Sequence, residues 1–242
     1  MIIKRLTQVQ ERINRACERA GRDPADVTLV AVTKTWPVEV LLEAYAVGLR
    51  HFGENRTYEI EEKRPWLERE LGADNGIVWH YIADLQSRQT QTVADLADYF
   101  HALDRLKIAR RLSARLAENG RVSLPVLLQV NVSGEASKAG VNCHNWETAV
   151  SEQLQLHELA TAVSTLPHLQ LHGLMTMAPW HAPDDEIRTV FSRTRALRDW
   201  LADALGHELP TLSMGMTDDF ELAILAGATH IRVGRALFGE RS

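Results

Sequence analysis

The chain has 242 residues, of which 45% are hydrophobic and 24% are charged. This composition predicts a folded globular protein with a sizeable core and excludes a long disordered polypeptide. The formal net charge of -5 argues against a nucleic-acid partner, because there is no basic excess to neutralise phosphates.

The first predicted element is a helix, since apolar residues recur at helical spacing from Ile2 to Cys17 and Gly21 is a natural stop. Strand-like and helix-like segments alternate after it. The predicted strands are 27–34, 50–54, 77–83, 99–103, 125–132, 169–177, 210–215 and 230–234. The predicted helices between them are 38–48, 55–70, 86–97, 105–119, 146–165, 184–206 and 218–226.

Alternating strands and helices predict an α/β protein with a parallel sheet. About eight strands in roughly 250 residues is typical of a (β/α)8 TIM barrel, here with an extra N-terminal helix. The alternative is a doubly wound open sheet, but residues 34–37 replace the glycine-rich turn that it would need. No Pro/Gly/Ser-rich linker divides the chain, so we expect a single domain over residues 1–242.

No stretch is apolar enough to span a bilayer, so we expect no membrane partner. Cys17 and Cys143 are the only cysteines, and neither belongs to a metal-ligand cluster. Two cysteines cannot form a disulfide framework, which favours a reducing cytoplasmic location. His101, His144 and His172 show no metal-binding spacing and are expected to be core or surface histidines.

Lys34 is the residue that most constrains function. It ends a β-branched, apolar run that predicts a buried strand, and Trp36 and Pro37 follow it. Burial disfavours a charged amine and leaves a more nucleophilic neutral one, which is how a Schiff-base lysine arises. The alternative is a lysine whose charge reaches solvent at the strand end.

The loops after the last two strands form the second informative feature. They read Ser-Met-Gly-Met at 213–216 and Arg-Val-Gly-Arg at 232–235. In barrels, the loops after the seventh and eighth strands often hold a phosphate with backbone N–H groups at a helix start. We expect Thr217 or Asp218 to be the N-cap of that helix. A lysine and two such loops on one rim are more specific together than either is alone.

Further motifs run nearly end to end: AVTKT at 31–35, HFGEN at 51–55, WHYI at 79–82 with LQS at 85–87, LDR at 103–105, VNVSGE at 130–135 with Ser137, Lys138 and Gly140, GLMT at 173–176, LSMGM at 212–216 with Asp218 and Asp219, and RVG at 232–234 with Phe238 and Gly239. In this order they resemble the pyridoxal phosphate homeostasis protein family, which is similar to the N-terminal barrel domain of alanine racemase. The resemblance implies that barrel fold and a pyridoxal 5′-phosphate cofactor.

The resemblance also implies how the cofactor is held. Lys34 would carry it as a Schiff base, the internal aldimine. Ser213 would hold the phosphate together with the backbone at Gly234 and Arg235. The family usually has threonine where this chain has Arg235, so that hydroxyl contact is lost. The Arg235 side chain would either add a charged contact or point to solvent.

The same resemblance implies four contacts to the rest of the cofactor. Arg232 would face the pyridine nitrogen, and Asn55 would lie near the phenolic oxygen. His80 and Met175 would line the pocket, although His80 could equally be a core histidine. An arginine cannot accept a proton from the ring, so carbanion stabilisation would be weak and the site would bind the cofactor better than it catalyses.

Two features of the chain depart from the family or remain open. Ala83 and Asp84 stand where the family usually has Gly-Pro, and Arg88 and Gln89 stand where it usually has Asn-Lys. The turn after the third strand is therefore expected to differ. Lys138 is a second rim lysine, which could attract the phosphate, accept the aldehyde or simply be exposed.

Three functions remain open at this point. The first is a non-catalytic carrier that holds pyridoxal phosphate on Lys34, buffers it and delivers it to apoenzymes that need it. The second is a racemase of limited activity. The third is a Schiff-base aldolase acting on a phosphorylated sugar. The last barrel motif lies close to Ser242, so we expect no second β-rich domain with a tyrosine acid/base, and we expect a monomer.

Overall fold

The computed structural model describes residues 1–240; the last two residues of the predicted domain lie outside the described residues. Helix α1 (Ile2–Ala20) comes first and ends at its C-cap Gly21, as predicted. The strands that follow are β1 (Thr28–Val32), β2 (His51–Glu54), β3 (Val78–Tyr81), β4 (Tyr99–Leu103), β5 (Leu124–Asn131), β6 (Val141–Asn142), β7 (Leu169–Met175), β8 (Thr211–Ser213) and β9 (His230–Val233). The further helices are α2 (Val38–Ala46), α3 (Thr57–Leu71), α4 (Thr90–Leu96), α5 (Leu106–Glu118), α6 (Val150–Ser164), α7 (Asp184–Leu205), α8 (Phe220–Leu225) and α9 (Arg235–Phe238).

Eight of these strands form a closed parallel barrel, which confirms the predicted fold class. Their order is β4-β3-β2-β1-β9-β8-β7-β5, and pairing between β4 and β5 closes the ring. Because all eight run in the same direction, their C-terminal ends meet at one rim. Asn55 and Gly234 directly follow β2 and β9, and Lys34 comes soon after the end of β1 at Val32, so the topology brings all three to that rim.

The extra N-terminal helix α1 covers the outside of the barrel where the first and last strands meet. It packs against α8 and α9, and Arg12 on α1 makes an ion pair with Glu221 on α8 at 2.7 Å. Arg22 then donates hydrogen bonds to the carbonyl oxygens of Ile224 and Ala228 at 3.1 and 2.8 Å. Within residues 1–240, no helix has both the length and the apolarity needed to cross a bilayer.

One short strand and one short α-helix were not predicted. Strand β6 adds two residues beside the C-terminal end of β5 and stands outside the barrel. Helix α9 is a single turn that starts immediately after Gly234. Segments this short contain too few residues to show a hydrophobic period, so the sequence pattern gave no signal for them.

Candidate functional site at the barrel rim

A cavity of about 1150 Å³ opens at the C-terminal rim of the barrel. Its lining comes from the loops after most of the strands. Six of the eight side chains or backbone positions expected to bind a ligand line it: Lys34, Asn55, Met175, Arg232, Gly234 and Arg235. Ser213 and His80 do not line it.

Lys34 lies just beyond the end of β1 at Val32, and buried charges hold the backbone on both sides of it. The Lys63 ammonium, on α3, donates to the carbonyl oxygen of Thr33 at 2.9 Å. The Glu59 carboxylate accepts the backbone N–H of Thr35 at 2.5 Å. Thr35 has a φ of 66°, a left-handed conformation that is costly for a β-branched residue. These contacts therefore hold the backbone on both sides of Lys34 and stabilise the costly conformation of Thr35.

Two carboxylates share the Lys63 ammonium in this cluster. Lys63 Nζ lies 2.7 Å from Glu54 Oε1 and 2.6 Å from Glu59 Oε2, and all three side chains are buried. Burial raises the pKa of Glu54 to about 7, although Lys63 opposes the shift. Burial also disfavours the Glu59 carboxylate, but hydrogen bonds from Lys63 and the Thr35 amide lower its pKa overall. Glu59 is thus charged at neutral pH, whereas Glu54 titrates close to it.

Two amide side chains present unsatisfied oxygens where they line the cavity. Asn55 Oδ1 and Gln129 Oε1 are buried and have no hydrogen-bond partner among the described residues. The Gln129 amide nitrogen donates to the Ala139 carbonyl oxygen at 3.1 Å, which fixes that side chain. A buried polar atom without a partner is destabilising. Asn55 and Gln129 thus place unsatisfied polar groups at the cavity wall.

Arg232 brings a buried cation to the cavity. Its side chain is only 4% exposed; Nη1 donates to Ser213 Oγ at 2.7 Å and Nη2 donates to the Thr176 carbonyl oxygen at 3.0 Å. Burial lowers the pKa of Arg232 to about 10, and the nearby Asp219 carboxylate opposes that shift. The guanidinium therefore stays charged at neutral pH, with N–H groups left to donate into the cavity.

Ser213 and His80 lie below the rim, which differs from their expected positions in the pocket. Both side chains are fully buried. Ser213 Oγ, besides accepting from Arg232, lies 2.8 Å from Nδ1 of His101, and His101 Nε2 lies 2.8 Å from His80 Nδ1. Along β3 and β8 these residues point into the barrel interior rather than above it. Ser213 thus contacts the residue that lines the cavity instead of lining it.

The loop after β8 turns sharply beneath the cavity. Gly215 has a φ of 94°, and an added Cβ would lie 2.8 Å from the Phe220 Cα, so only glycine fits. Helix α8 begins at Phe220 with Asp219 as its N-cap, so the prediction of Thr217 or Asp218 was wrong. Asp219 Oδ1 instead accepts the Met216 amide at 2.5 Å, which organises the loop before the helix.

The rim cations that sequence left open are both paired with acids. Arg235 is partly exposed and makes ion pairs with Asp218 and Glu240 while lining the cavity. Lys138 pairs with Glu135 and donates to the Met177 carbonyl oxygen at 3.0 Å. Lys138 is therefore held at the rim, whereas Arg235 remains exposed to solvent despite its ion pairs.

The sequence pattern did not reveal the buried side chains that contact the site residues from outside the cavity. Lys63 was not singled out, because Glu59 and Lys63 at i and i+4 are also typical of an exposed helix face. His101 was expected to be a core or surface histidine, and it is buried in the barrel interior. No cluster of His, Cys, Asp or Glu within the described range has the geometry of a metal site.

Comparison with known proteins agrees with this architecture. Residues 5–242 match the family described as alanine racemase, N-terminal domain. The pyridoxal phosphate homeostasis protein of Pseudomonas aeruginosa is 45% identical over 240 residues, which cover 99% of this chain and 96% of that protein. The protein of the same name from Escherichia coli K12 is 41% identical over 243 residues, covering 99% and 97%.

Solved structures give a consistent result. PipY of Synechococcus elongatus, determined with pyridoxal phosphate bound, is 33% identical with a TM-score of 0.78, covering 99% of this chain and all of its own. Alanine racemase from Corynebacterium glutamicum is 19% identical with a TM-score of 0.65. That match covers 96% of this chain but 61% of the racemase, and it bears on the fold alone.

Proposed function

The chain belongs to the pyridoxal phosphate homeostasis protein family, within the alanine racemase N-terminal domain family, and from that premise we propose that it binds pyridoxal 5′-phosphate covalently through Lys34. When bound, the cofactor supplies an aldehyde that bonds reversibly to amines. The chain's own groups then hold and orient it.

One observation carries this proposal: a single cavity brings together Lys34, Asn55, Arg232 and Gly234. These match the functional groups of the cofactor one by one. Lys34 offers an amine for the aldehyde, and the side-chain NH2 group of Asn55 can donate to the phenolic oxygen. Arg232 offers N–H donors to the pyridine nitrogen, and the backbone at Gly234 lets a phosphate approach closely.

The remaining site residues support the ligand in different ways. Met175 lines the cavity as an apolar wall. We assign Ser213 to holding Arg232 from below, since it accepts a hydrogen bond from Arg232 and does not line the cavity. His80 lies deeper in the barrel interior, and we leave phosphate contacts to the backbone at Gly234 and Arg235. The Arg235 side chain, already paired with Asp218, would flank the phosphate rather than replace a hydroxyl contact.

Arg232 favours a carrier over an enzyme. It stays protonated at neutral pH, because burial lowers its pKa only to about 10, and it has no lone pair with which to accept a hydrogen bond. A carboxylate at this position would keep the ring nitrogen protonated, whereas Arg232 does not. The site therefore binds the cofactor firmly and activates amino acids weakly.

We further propose that the chain acts as a monomeric, single-domain carrier in the cytoplasm. It would buffer the reactive aldehyde and hand it to apoenzymes that require pyridoxal phosphate. Both cysteines are buried, and burial raises the pKa of Cys143 to about 12, which is compatible with thiols that stay reduced and unreactive. The names of the relatives support the role in cofactor homeostasis.

Absorption spectroscopy tests the covalent link. The protein incubated with pyridoxal phosphate and then desalted should show a visible Schiff-base band, and Lys34→Ala should lose it. Borohydride reduction followed by peptide mapping should find the cofactor on Lys34. Lys138→Ala is the matched control, since it removes another lysine from the same cavity and should keep the band.

Two results would contradict the proposal in different ways. A band that persists in Lys34→Ala but disappears in Lys138→Ala would show that the cofactor is bound covalently to Lys138 and not to Lys34. Racemisation of L-alanine, well above the rate with free cofactor and abolished by Lys34→Ala, would instead show that the protein is an enzyme.

A further inference from the structure

A row of hydrogen-bonded side chains runs through the barrel interior and ends at Arg232. His51 Nδ1 lies 2.9 Å from His80 Nε2, and His80 Nδ1 lies 2.8 Å from His101 Nε2. His101 Nδ1 lies 2.8 Å from Ser213 Oγ, which accepts a hydrogen bond from Arg232 Nη1 at 2.7 Å. We call these five residues the histidine row. It joins β2, β3, β4, β8 and β9 across the barrel.

Arg232 fixes the direction of every hydrogen bond in the histidine row. A guanidinium only donates, so Ser213 Oγ must accept from it. The Ser213 hydroxyl hydrogen then needs an acceptor, and the structure records none for it within residues 1–240 other than His101 Nδ1. His101 must therefore carry its hydrogen on Nε2.

The remaining hydrogen bonds of the row take the same direction. The Nε2–H group of His101 donates to His80 Nδ1, which leaves the hydrogen of His80 on Nε2. That group in turn donates to His51 Nδ1. Burial holds the pKa of His80 and of His101 well below the usual range, so both rings are neutral and each has one donor and one acceptor. All three histidines thus take the Nε2–H tautomer.

The histidine row is buried, so few other groups are within reach of its side chains as hydrogen-bond partners. His80, His101 and Ser213 are fully buried, and Arg232 is 4% exposed. His51 is half-buried and lines a second cavity of about 650 Å³ near the start of β1 and β2. Breaking the row at His101 would leave the Ser213 hydroxyl free to rotate and to compete as a donor, which weakens its hold on Arg232.

We propose that His101 and His80 are positioning residues, which hold the Ser213 hydroxyl as an acceptor and thereby aim the Arg232 guanidinium at the ring nitrogen of the bound cofactor. This inference rests on the proposed function. The second contact of the guanidinium, from Nη2 to the Thr176 carbonyl oxygen, fixes its other side. The row acts only through Arg232, so its effect should depend on the cofactor having a ring nitrogen.

A pair of ligands isolates that effect. Pyridoxal 5′-phosphate is compared with 1-deazapyridoxal 5′-phosphate, in which a C–H group replaces the ring nitrogen. His101→Leu should weaken binding of the normal cofactor by about tenfold, the size of one lost hydrogen bond to a charged group. Binding of the deaza analogue should change by less than about twofold, because it makes no such bond. His101→Asn, whose Oδ1 can replace Nδ1 as the acceptor, should restore most of the affinity.

His172→Leu is the matched control. His172 is another barrel histidine, whose Nδ1 lies 3.2 Å from the Tyr99 hydroxyl, and the structure records no bond from it to the row within residues 1–240. It should leave the affinity for both ligands unchanged. Equal weakening of both ligands by His101→Leu, or no weakening of either, would overturn the positioning role while leaving the Schiff-base band intact. Absence of that band in the unmodified protein would instead refute the proposed function, and the positioning role with it.

A measurement on the unmodified protein tests the proposal even if the variants fail to fold. Nitrogen chemical shifts of ¹⁵N-histidine-labelled protein distinguish a protonated from an unprotonated ring nitrogen. His51, His80 and His101 should each show an unprotonated Nδ1 and a protonated Nε2. A protonated Nδ1 at His101 would reverse the row and overturn the proposal without any mutation.

Discussion

The lysine that we assign to the cofactor is held in place by its neighbours in sequence. Thr33 and Thr35, on either side of Lys34, are bound by Lys63 and by Glu59. The left-handed conformation of Thr35 turns the chain at the strand end, and the buried charges stabilise that turn. The backbone on both sides of Lys34 is therefore held by these contacts, and Lys34 itself lines the cavity.

Removing the cation from this cluster should damage both the fold and the site. Lys63→Met leaves the Glu54 and Glu59 carboxylates buried without their partner, which should cost about 3–5 kcal/mol of unfolding free energy. Urea denaturation measures this loss of stability. Titration with pyridoxal phosphate should show that the folded variant binds the cofactor more weakly than the unmodified protein does. Arg115→Met breaks an exposed ion pair with Glu118 and should cost less than about 1 kcal/mol. Unchanged cofactor affinity in Lys63→Met would limit the cluster to a role in stability.

The contrast between Lys34 and Lys63 shows what sequence can reveal at this scale. Lys34 interrupts an apolar strand pattern, and that conflict marks it as unusual. Lys63 lies in a helix with many charged residues, where its spacing from Glu59 equally fits a solvated surface pair. Only the packing of α3 against the rim buries it. His101 is similar, because its partners His80 and Ser213 come from distant segments of the chain.

At the scale of elements, strand β7 was predicted correctly although its pairing with β5 contains an irregularity that the hydrophobic period of the sequence does not show. The pairing of β5 with β7 shifts by one residue, since Val126 faces Leu171 whereas Leu127 faces Gly173. His172 is the extra residue in β7. The hydrophobic run from 169 to 177 predicted the strand correctly, but a bulge depends on pairing with a partner strand and has no signature in one segment. Gly173 also pairs with Thr211 on β8, where the absence of a side chain lets the two backbones approach closely.

Gly173→Ala should therefore disrupt the barrel wall. Gly173 has a φ of 152°, and an added Cβ would lie only 1.9 Å from the Thr211 carbonyl oxygen on β8. Overpacking against backbone and a strained φ together should lower the unfolding free energy by about 3 kcal/mol or more, measured by urea denaturation. Gly206→Ala is the control, since its φ is 70° but an added Cβ meets no atom within 4 Å. If both variants lose the same stability, backbone conformation alone explains the effect.

At the scale of the whole molecule, the proposed ligand would join the first and last strands of the barrel. β1 pairs with β9 along Thr28–Ala31, and Lys34 and Gly234 leave these two strands at the same rim. Helix α1 covers the same seam from outside through its contacts with α8 and α9. The alternation of strands and helices was enough to predict this closure. The seam is where a ligand could most directly oppose unfolding, because it would tie together elements that are far apart in sequence.

Pyridoxal phosphate should accordingly raise the melting temperature of the protein. A ligand that binds the native state at a hundredfold excess over its Kd adds about 2.7 kcal/mol. For a chain of this size that corresponds to a shift of roughly 5–10 °C in thermal unfolding followed by circular dichroism. Pyridoxal, which has the aldehyde but no phosphate, should give a clearly smaller shift at the same concentration, as should the full cofactor with Lys34→Ala. Equal shifts from both ligands would mean that the loops after β8 and β9 do not hold the phosphate, even if Lys34 still binds the aldehyde.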